Sequence, residues 1–511
     1  MSSATRVIKN TGYLYIKMAI TVFISLWTTR IVLNSLGALD FGTYNIVGGV
    51  IAMLGFLNST MTSATQRFMN YAEGQGDKER QKSIFNVSML LHIIVAVLFG
   101  LILVIAAYPL FNGILTILPE RMFAAKVVYG SMMLSTMFTV MSVPYNAAIN
   151  AHENMKYYAI IGVFESLLKL IVAFITMEFM GDKLITYGIL MACIPFITLT
   201  ILRIYCHIHY EECVLSMRKY CNKHLFKEMC TFAGWNFLGS TSSIIGNYGM
   251  GVVLNHFFGS LLNAAQGIAN QLNGQLLSFS NNMLKAASPQ IAKNEGAGNR
   301  KGMLQVSMMA NKYSFFLLAL FAIPAILEMP FLLKVWLKNV PDWAVVFSQL
   351  LLIRSLIDQS VAVFHTSIAA EGHIASYNKL VVFLDILPLL ITWFLFANHY
   401  PPVAMYLVII ALMGFGKGGL KVYFMKVNCG MHFSQFMHFV LKPILLVSFI
   451  AFLVGFTIVS FVPSGWMRLG IVLVCVGMSF LASLWCLGMD ANERTEVKGL
   501  LLKQKRQSNV L

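Results

Sequence analysis

Apolar runs of roughly twenty residues recur along this chain, separated by short loops rich in lysine and arginine. A helix needs about 20 mostly apolar residues to cross a bilayer. In lipid every backbone N–H and C=O must be satisfied within the protein, so runs of this length point to spanning helices. Only 11% of the residues are charged and 58% are hydrophobic, whereas a soluble domain carries about 25% charged residues. So few charges cannot cover a soluble fold of 511 residues. The expected fold is an all-α polytopic membrane protein.

The runs place about 14 transmembrane helices, near 12–33, 42–63, 84–107, 124–149, 158–177, 184–207, 230–254, 262–284, 304–327, 346–369, 379–396, 403–425, 443–462 and 467–487. Three are polar. The second holds Asn45, Asn58, Ser59, Thr60 and Thr62; the seventh and eighth hold Asn236, Asn247, Asn263, Asn270, Asn273 and Asn281. Polar spans should face a bundle interior or a wet cavity. The segments 67–82, 203–227, 285–301, 417–442 and 494–506 carry most of the lysine and arginine, including Lys498, Lys503, Lys505 and Arg506. The opposite set is sparse: Arg121, Lys126, Lys183, Lys334, Lys338 and Arg468. The rich set reads as cytoplasmic. Both termini then lie in the cytoplasm, which requires an even number of spans.

A net charge of +16 raises the question of nucleic acid. The charges recur in short bursts between apolar runs, which is a topology signal, so nucleic acid is not an expected partner. The cluster Cys206, His207, His209, Cys213, Cys221, His224 and Cys230 matches no zinc spacing, and no metal is expected. There is no phosphate-binding Gly-Lys-Ser/Thr loop. No cofactor is expected.

The chain repeats itself. Val32-Leu33-Asn34 is matched by Val253-Leu254-Asn255, each soon followed by a glycine, Gly37 or Gly259. Gly74-Gln75-Gly76 is matched by Gly296-Ala297-Gly298, and Val87-Ser88-Met89 by Val306-Ser307-Met308. The run 148–153 resembles 367–372. The offset stays near 220. Six helices per copy is an even number, so both copies point the same way, a parallel repeat. The expected organisation is an N-terminal six-helix bundle at 1–207, a cytoplasmic linker at 208–229, a second bundle at 230–426, and two additional helices with a basic tail at 427–511.

The run Arg30 to Asn45, with Leu36-Gly-Ala-Leu-Asp-Phe-Gly-Thr-Tyr-Asn45 at its core, leads into the polar second span and a Gly-rich basic loop. This stretch resembles the bacterial oligosaccharide-lipid flippases of O-antigen and capsule synthesis. They are the polysaccharide transporter branch of the multidrug/oligosaccharidyl-lipid/polysaccharide (MOP) exporter superfamily. The resemblance implies a MATE-like fold of two six-helix repeats plus two helices, in the bacterial inner membrane. It implies transfer of an undecaprenyl-diphosphate-linked oligosaccharide to the periplasmic leaflet, membrane lipids around the protein, and other polysaccharide-assembly membrane proteins as partners.

A charge at the bilayer centre costs at least about 2.5–3.5 kcal/mol, so a resident one should meet a cavity or a partner. Lys17 and Arg30 on the first helix, Lys169, Arg354 and Lys417 are candidate cavity cations. Arginine binds phosphate bidentately, which suits a diphosphate cargo. Glu165, Asp358 and Asp385 are candidate carboxylates for coupling to Na⁺ or H⁺. Glu165 and Lys169, and likewise Arg354 and Asp358, are four residues apart and could instead neutralise each other along one helix. Asp385 has no close partner in sequence. A Na⁺- or H⁺-coupled drug or metabolite exporter is the alternative, resting on the carboxylates. A glycan polymerase or ligase would need a larger external loop than 108–123 or 328–345.

Overall fold

Hydropathy marks where a helix sits in lipid, and polar turns extend helices beyond those marks. A computed structural model of the chain describes residues 3–52, 55–114, 117–337, 340–491 and 493–495. Lys338 and the basic tail residues Lys498, Lys503, Lys505 and Arg506 lie outside the described residues. So do the side chains of Asn45, Asn58, Ser59 and Thr60.

Every described regular element is helical. We number the helical runs α1 (Ser3–Ala52), α2 (Gly55–Gln75), α3 (Lys78–Asn112), α4 (Pro119–Ala151), α5 (Met155–Glu178), α6 (Lys183–His209), α7 (Lys223–Phe258) and α8 (Ser260–Gly296). They continue as α9 (Arg300–Leu327), α10 (Ala344–Glu371), α11 (Ile374–Ala397), α12 (Val403–Val427), α13 (Phe433–Phe461) and α14 (Trp466–Gly488). Among the described residues eleven stretches, Lys9–Gly37 of α1 together with α3 to α6 and α9 to α14, are long and apolar enough to cross a membrane. The polar second, seventh and eighth expected spans fall on the end of α1 with α2, on α7 and on α8, which are not among the eleven.

The expected loops shorten. The rich segment 285–301 is helical to Gly296, 67–82 is helical to Gln75, and 417–442 contracts to 428–432. The expected linker 208–229 keeps irregular backbone at 210–216, then forms a short helix, Met217–Tyr220, before α7 starts at Lys223.

Backbone conformation follows the internal repeat. Gly37 bends α1 with φ 76°, and Gly259 separates α7 from α8 with φ 78°. Gly76 and Gly298, with φ 70° and 71°, end α2 and α8. Both pairs lie 222 residues apart (37 to 259, 76 to 298). Positive φ carries no steric cost at glycine, so these are helix stops that a side chain would strain.

The chain divides into two compact units. One contains Ile8–Ser240 and Ala292–Asn299; its apolar core includes Val32, Leu103, Val128, Tyr129, Leu184 and Ile194. The other contains Met1–Val7, Thr241–Ile291 and Arg300–Leu511; its core includes Leu254, Leu318, Phe347, Leu352, Met405 and Tyr406. Large apolar side chains such as Ile105, Phe123, Leu390 and Phe394 are exposed on the helices, the pattern expected of lipid-facing positions.

Candidate functional site

In the second unit charged side chains converge from three helices. Asp385 of α11 is 0% exposed. Its carboxylate accepts hydrogen bonds from Ser242 Oγ at 3.0 Å and Ser243 Oγ at 2.8 Å, both on α7, and pairs with Lys417 of α12. One turn further along α12, Lys421 Nζ donates to Asp358 of α10 at 3.0 Å. The helix α12 passes through a π-helical stretch, Ile409–Gly416, immediately before Lys417. Each extra residue in a π turn rotates the downstream helix by about 100° relative to a continuous α-helix. The two lysines, four apart, share a face and meet two carboxylates on different helices.

One expectation changes here. Asp358 is held by Lys421, a residue not singled out from sequence, rather than by Arg354. The Arg354 Nε is buried and makes no hydrogen bond among the described residues. An acidic residue N-terminal to a basic one is the favourable order on a helix, and Arg354–Asp358 has the reverse order. Asp385, without a partner in sequence, has Lys417 and two serines in space. The cluster holds three basic residues, Arg354, Lys417 and Lys421, against two acidic ones, Asp358 and Asp385.

Helix α7 comes close to α11 at this point. A methyl group on Gly246 would lie 2.8 Å from the Asp385 carbonyl oxygen. The small-residue face Ser242, Ser243 and Gly246 is what admits the carboxylate.

In the first unit, Lys17 is half-buried, with its Nζ 4.3 Å from the centre of the Tyr158 ring. Its side chain lies across Gly162 of α5, where a methyl group would overlap Lys17 Cε. Beside it is a cavity of about 180 Å³ lined by Ser142, Asn146, Tyr158, Glu165 and Thr198, among others. Glu165 and Lys169 form the helical ion pair in the favourable order, at 2.7 Å. Arg30 is exposed. The nearby motif supplies a different ion pair: Asp40, 5% exposed, pairs with Arg121, which also reaches Asp182 at 2.9 Å. Asp182 in turn caps α6 through the backbone N–H groups of Leu184 and Ile185. Glu328 and Arg468 form a comparable pair in the second unit, at 2.7 Å.

Loop 210–216 is pinned by Asn86. Its side chain donates to Val214 O at 2.7 Å and accepts from Ser216 N–H at 2.8 Å. Glu212 hydrogen-bonds His152 at 2.5 Å. Burial pushes the Glu212 carboxyl up, but the bond and charge of His152 more than offset this, and its pKa is lowered. A hydrogen bond with Cys206, together with burial, raises the Cys213 thiol well above its usual range. Among the described residues no group of three His, Cys, Asp or Glu side chains is arranged to hold a metal ion.

A groove of about 880 Å³ opens on the second unit between α10, α12 and α13. Its walls include Ile357, Gly414, Gly418, Phe433 and Leu445, with Lys426 the single charged side chain among the described residues that line it.

The model of a family described as polysaccharide biosynthesis protein matches residues 7–295, more than half of the chain. No curated protein matches. Among solved structures the fold is similar to a MATE in the bent conformation, with a TM-score of 0.70 and 14% identity over 84% of this chain and 98% of that one. It is also similar to a multidrug resistance MATE family transporter of the MOP superfamily in an outward-facing conformation, with a TM-score of 0.69 and 13% identity over 84% and 96%. A third is a MOP superfamily transporter from Pyrococcus furiosus described for the reverse polarity of its binding pocket, with a TM-score of 0.65 and 14% identity over 84% and 97%.

Proposed function

The chain belongs to the polysaccharide biosynthesis protein family and has a MATE-like membrane-transporter fold, and from this premise we propose that it exports a lipid-linked oligosaccharide across the bacterial inner membrane. The cargo is an undecaprenyl-diphosphate-linked sugar unit, moved from the cytoplasmic to the periplasmic leaflet for surface polysaccharide synthesis. Fourteen spans with both termini in the cytoplasm complete this reading, the three polar helices acting as interior spans.

The observation that carries it is the excess of cations at the Asp385 cluster. Lys417 and Lys421 are each held by a carboxylate, while Arg354 Nε is buried without a hydrogen bond among the described residues. An arginine whose buried Nε has no acceptor suits a phosphate oxygen, because phosphate accepts two parallel hydrogen bonds from arginine. Lys17 and the Glu165–Lys169 pair give the first unit a comparable basic balance. The groove beside α12 is walled almost entirely by apolar side chains, which suits the prenyl tail of the cargo and is too poor in donors for its head.

Deleting the protein should strand lipid-linked glycan in the inner leaflet. Neutralising Lys17, Arg30 and Arg354 together to glutamine should do the same in cells that still make the protein. Surface glycan at wild-type level in that triple variant refutes the reading.

The cation-coupled exporter remains a second reading because Asp385 is wholly buried and held by hydroxyls, a setting in which proton or Na⁺ uptake would free Lys417. Export that continues without a Na⁺ or proton gradient excludes it.

A further inference from the structure

The cavity of about 180 Å³ in the first unit differs in chemistry from the cation cluster of the second. It lies beside Lys17 of α1, with walls from α4, α5 and α6. It is smaller than the roughly 300–1,000 Å³ that encloses a drug-sized ligand, and several times the ~30 Å³ share of one water. A single pyranose ring is a group of that intermediate size. Charge on the walls is balanced. Lys17 is the one cation and Glu165 the one carboxylate among the described residues that line it. A bare cation would meet the ammonium, and a phosphate would meet the carboxylate.

The polar groups of the walls are engaged on one side only. Thr139 Oγ1 donates to Ser135 O at 2.9 Å, Ser142 Oγ to Thr139 O at 2.7 Å, and Asn146 Nδ2 to Ser142 O at 3.2 Å. These donors close back onto α4, as short polar side chains in a helix do. The acceptors stay open. Asn146 Oδ1 accepts no hydrogen bond among the described residues, and Glu165 accepts from Lys169 Nζ on Oε1 alone, at 2.7 Å. Open acceptors call for a ligand that brings O–H donors. A sugar brings several, and an ionised phosphate brings acceptors instead.

Thr198 of α6 departs from its neighbours. Thr136 and Thr139 on α4, Thr176 on α5 and Thr200 on α6 each donate to the carbonyl four residues earlier, at 2.8–2.9 Å. Thr198 Oγ1 is buried on the cavity wall and makes no hydrogen bond among the described residues. An unmet buried hydroxyl destabilises a fold, and a ligand hydroxyl in the cavity would satisfy it.

We propose that this cavity is a subsite for one uncharged sugar ring of the exported glycan, with Thr198, Asn146 and Glu165 reading its hydroxyls. The assignment rests on the transport reading proposed for the chain and adds to it a specificity site in the first unit. A site built to hydrogen-bond hydroxyls rejects a ring that lacks or misplaces one, because its own polar groups are then left unmet.

The test titrates full-length protein in lipid nanodiscs with the methyl glycosides of glucose, galactose and mannose, followed by saturation-transfer NMR. At least one should bind with a Kd on the order of millimolar, as so small a ligand allows. Thr198→Val keeps the shape and removes a hydroxyl that bonds nothing in the protein. The thermal midpoint without ligand should therefore hold or rise, while binding falls at least ten-fold. A hydroxyl with a purely structural role would lower the midpoint and leave binding unchanged. Asn146→Leu, the second variant, should also weaken binding at least ten-fold. Methyl maltoside should bind no tighter than methyl glucoside, since the cavity has room for one ring. The proposal is overturned if no glycoside binds, if Thr198→Val binds like wild type, or if inorganic phosphate or Na⁺ raises the midpoint in a way that Thr198→Val abolishes. Binding is read without transport. A chain that binds a glycoside in this way but exports no glycan refutes the transport reading and leaves the sugar site standing, and one that exports glycan but binds no glycoside does the reverse.

Discussion

Removing the Lys417 ammonium while keeping Asp385 tests the buried cluster directly. Asp385 is 0% exposed and the Lys417 side chain 13%, so water screens the pair little. In Lys417→Met the carboxylate keeps only the hydroxyls of Ser242 and Ser243. Breaking a buried pair on one side costs about 3–5 kcal/mol, because a charge is left uncompensated. Asp385→Asn leaves the lysine stranded and should cost a similar amount. The two losses should not add. In Lys417→Met with Asp385→Asn no charge of this pair remains, and the amide oxygen still accepts from both serines. Replacing a whole buried pair by neutral groups is often close to neutral, so the double variant should return to within ~2 kcal/mol of wild type. The readout is the thermal midpoint of detergent-solubilised protein, followed by size-exclusion profile. The expected order is both single variants well below wild type and the double variant close to it. A double variant that falls by the sum of the two singles refutes the direct contact. Export separates stability from chemistry: the double variant should be folded yet poor at export.

Arg121→Ala should destabilise the first unit by about 1–3 kcal/mol, because Asp40 is left buried without its donor, and Arg121→Lys should rescue little since one ammonium cannot reach both Asp40 and Asp182; thermal midpoints of the purified variants check both. Glu212 has a lowered pKa, so its contribution to loop 210–216 is fully present above the unfolded carboxylate value of about 4.3 and is lost as pH falls through the lower folded value. Limited proteolysis across pH ~3–6 should show the loop opening in acid, and Glu212→Gln should be open throughout that range. Gly246→Ala should lower the melting midpoint by the equivalent of about 1–3 kcal/mol, since its methyl would sit 2.8 Å from the Asp385 carbonyl oxygen.

Fold class was legible in the sequence because bilayer residence is written as hydropathy along a single helix. The eleven apolar stretches coincide with expected spans, and the three that fall short are those whose asparagines marked them as polar. Helix ends were not legible: α7 and α8 run several residues beyond their apolar cores, to Lys223 and Gly296, where propensity and packing rather than lipid decide. At the candidate site the sequence brought Asp385, Lys417, Asp358 and Arg354 into view as charges too costly to be incidental. It could not pair them. The π-helical stretch before Lys417 sets which face the two lysines share, and the partners Ser242, Ser243 and Lys421 come from that phase and from tertiary packing. Residue order agrees with both outcomes: the Glu165–Lys169 pair, acidic first, forms, whereas Asp358 of the reversed Arg354–Asp358 is taken by Lys421.

The repeat is kept and lost in different places, and the difference is informative. It is kept where backbone must bend or touch: Gly37 with Gly259, Gly74 with Gly296, Gly76 with Gly298. It is lost where charge is buried. The first copy has a helical Glu165–Lys169 pair, a half-buried Lys17 and the Asp40–Arg121 pair between helices; the second gathers two interhelical ion pairs at one cluster, beside an arginine whose Nε makes no hydrogen bond among the described residues. Asp40, in the run that carries the family resemblance, has leucine at the equivalent position 262. Duplicated transport sites would be expected to duplicate their charges, because each would meet the same chemical group. Keeping the backbone bends while diverging in charge suits the proposed cargo, whose anionic and sugar groups would need different surroundings. Unequal roles for the two copies are the expected result. Exchanging Lys17 for a neutral residue should change export of long and short glycans differently, whereas losing Arg354 should reduce both alike, as contact with a common diphosphate requires. Equal effects of the two variants across glycans of different length would count against a single cargo read by two dissimilar sites.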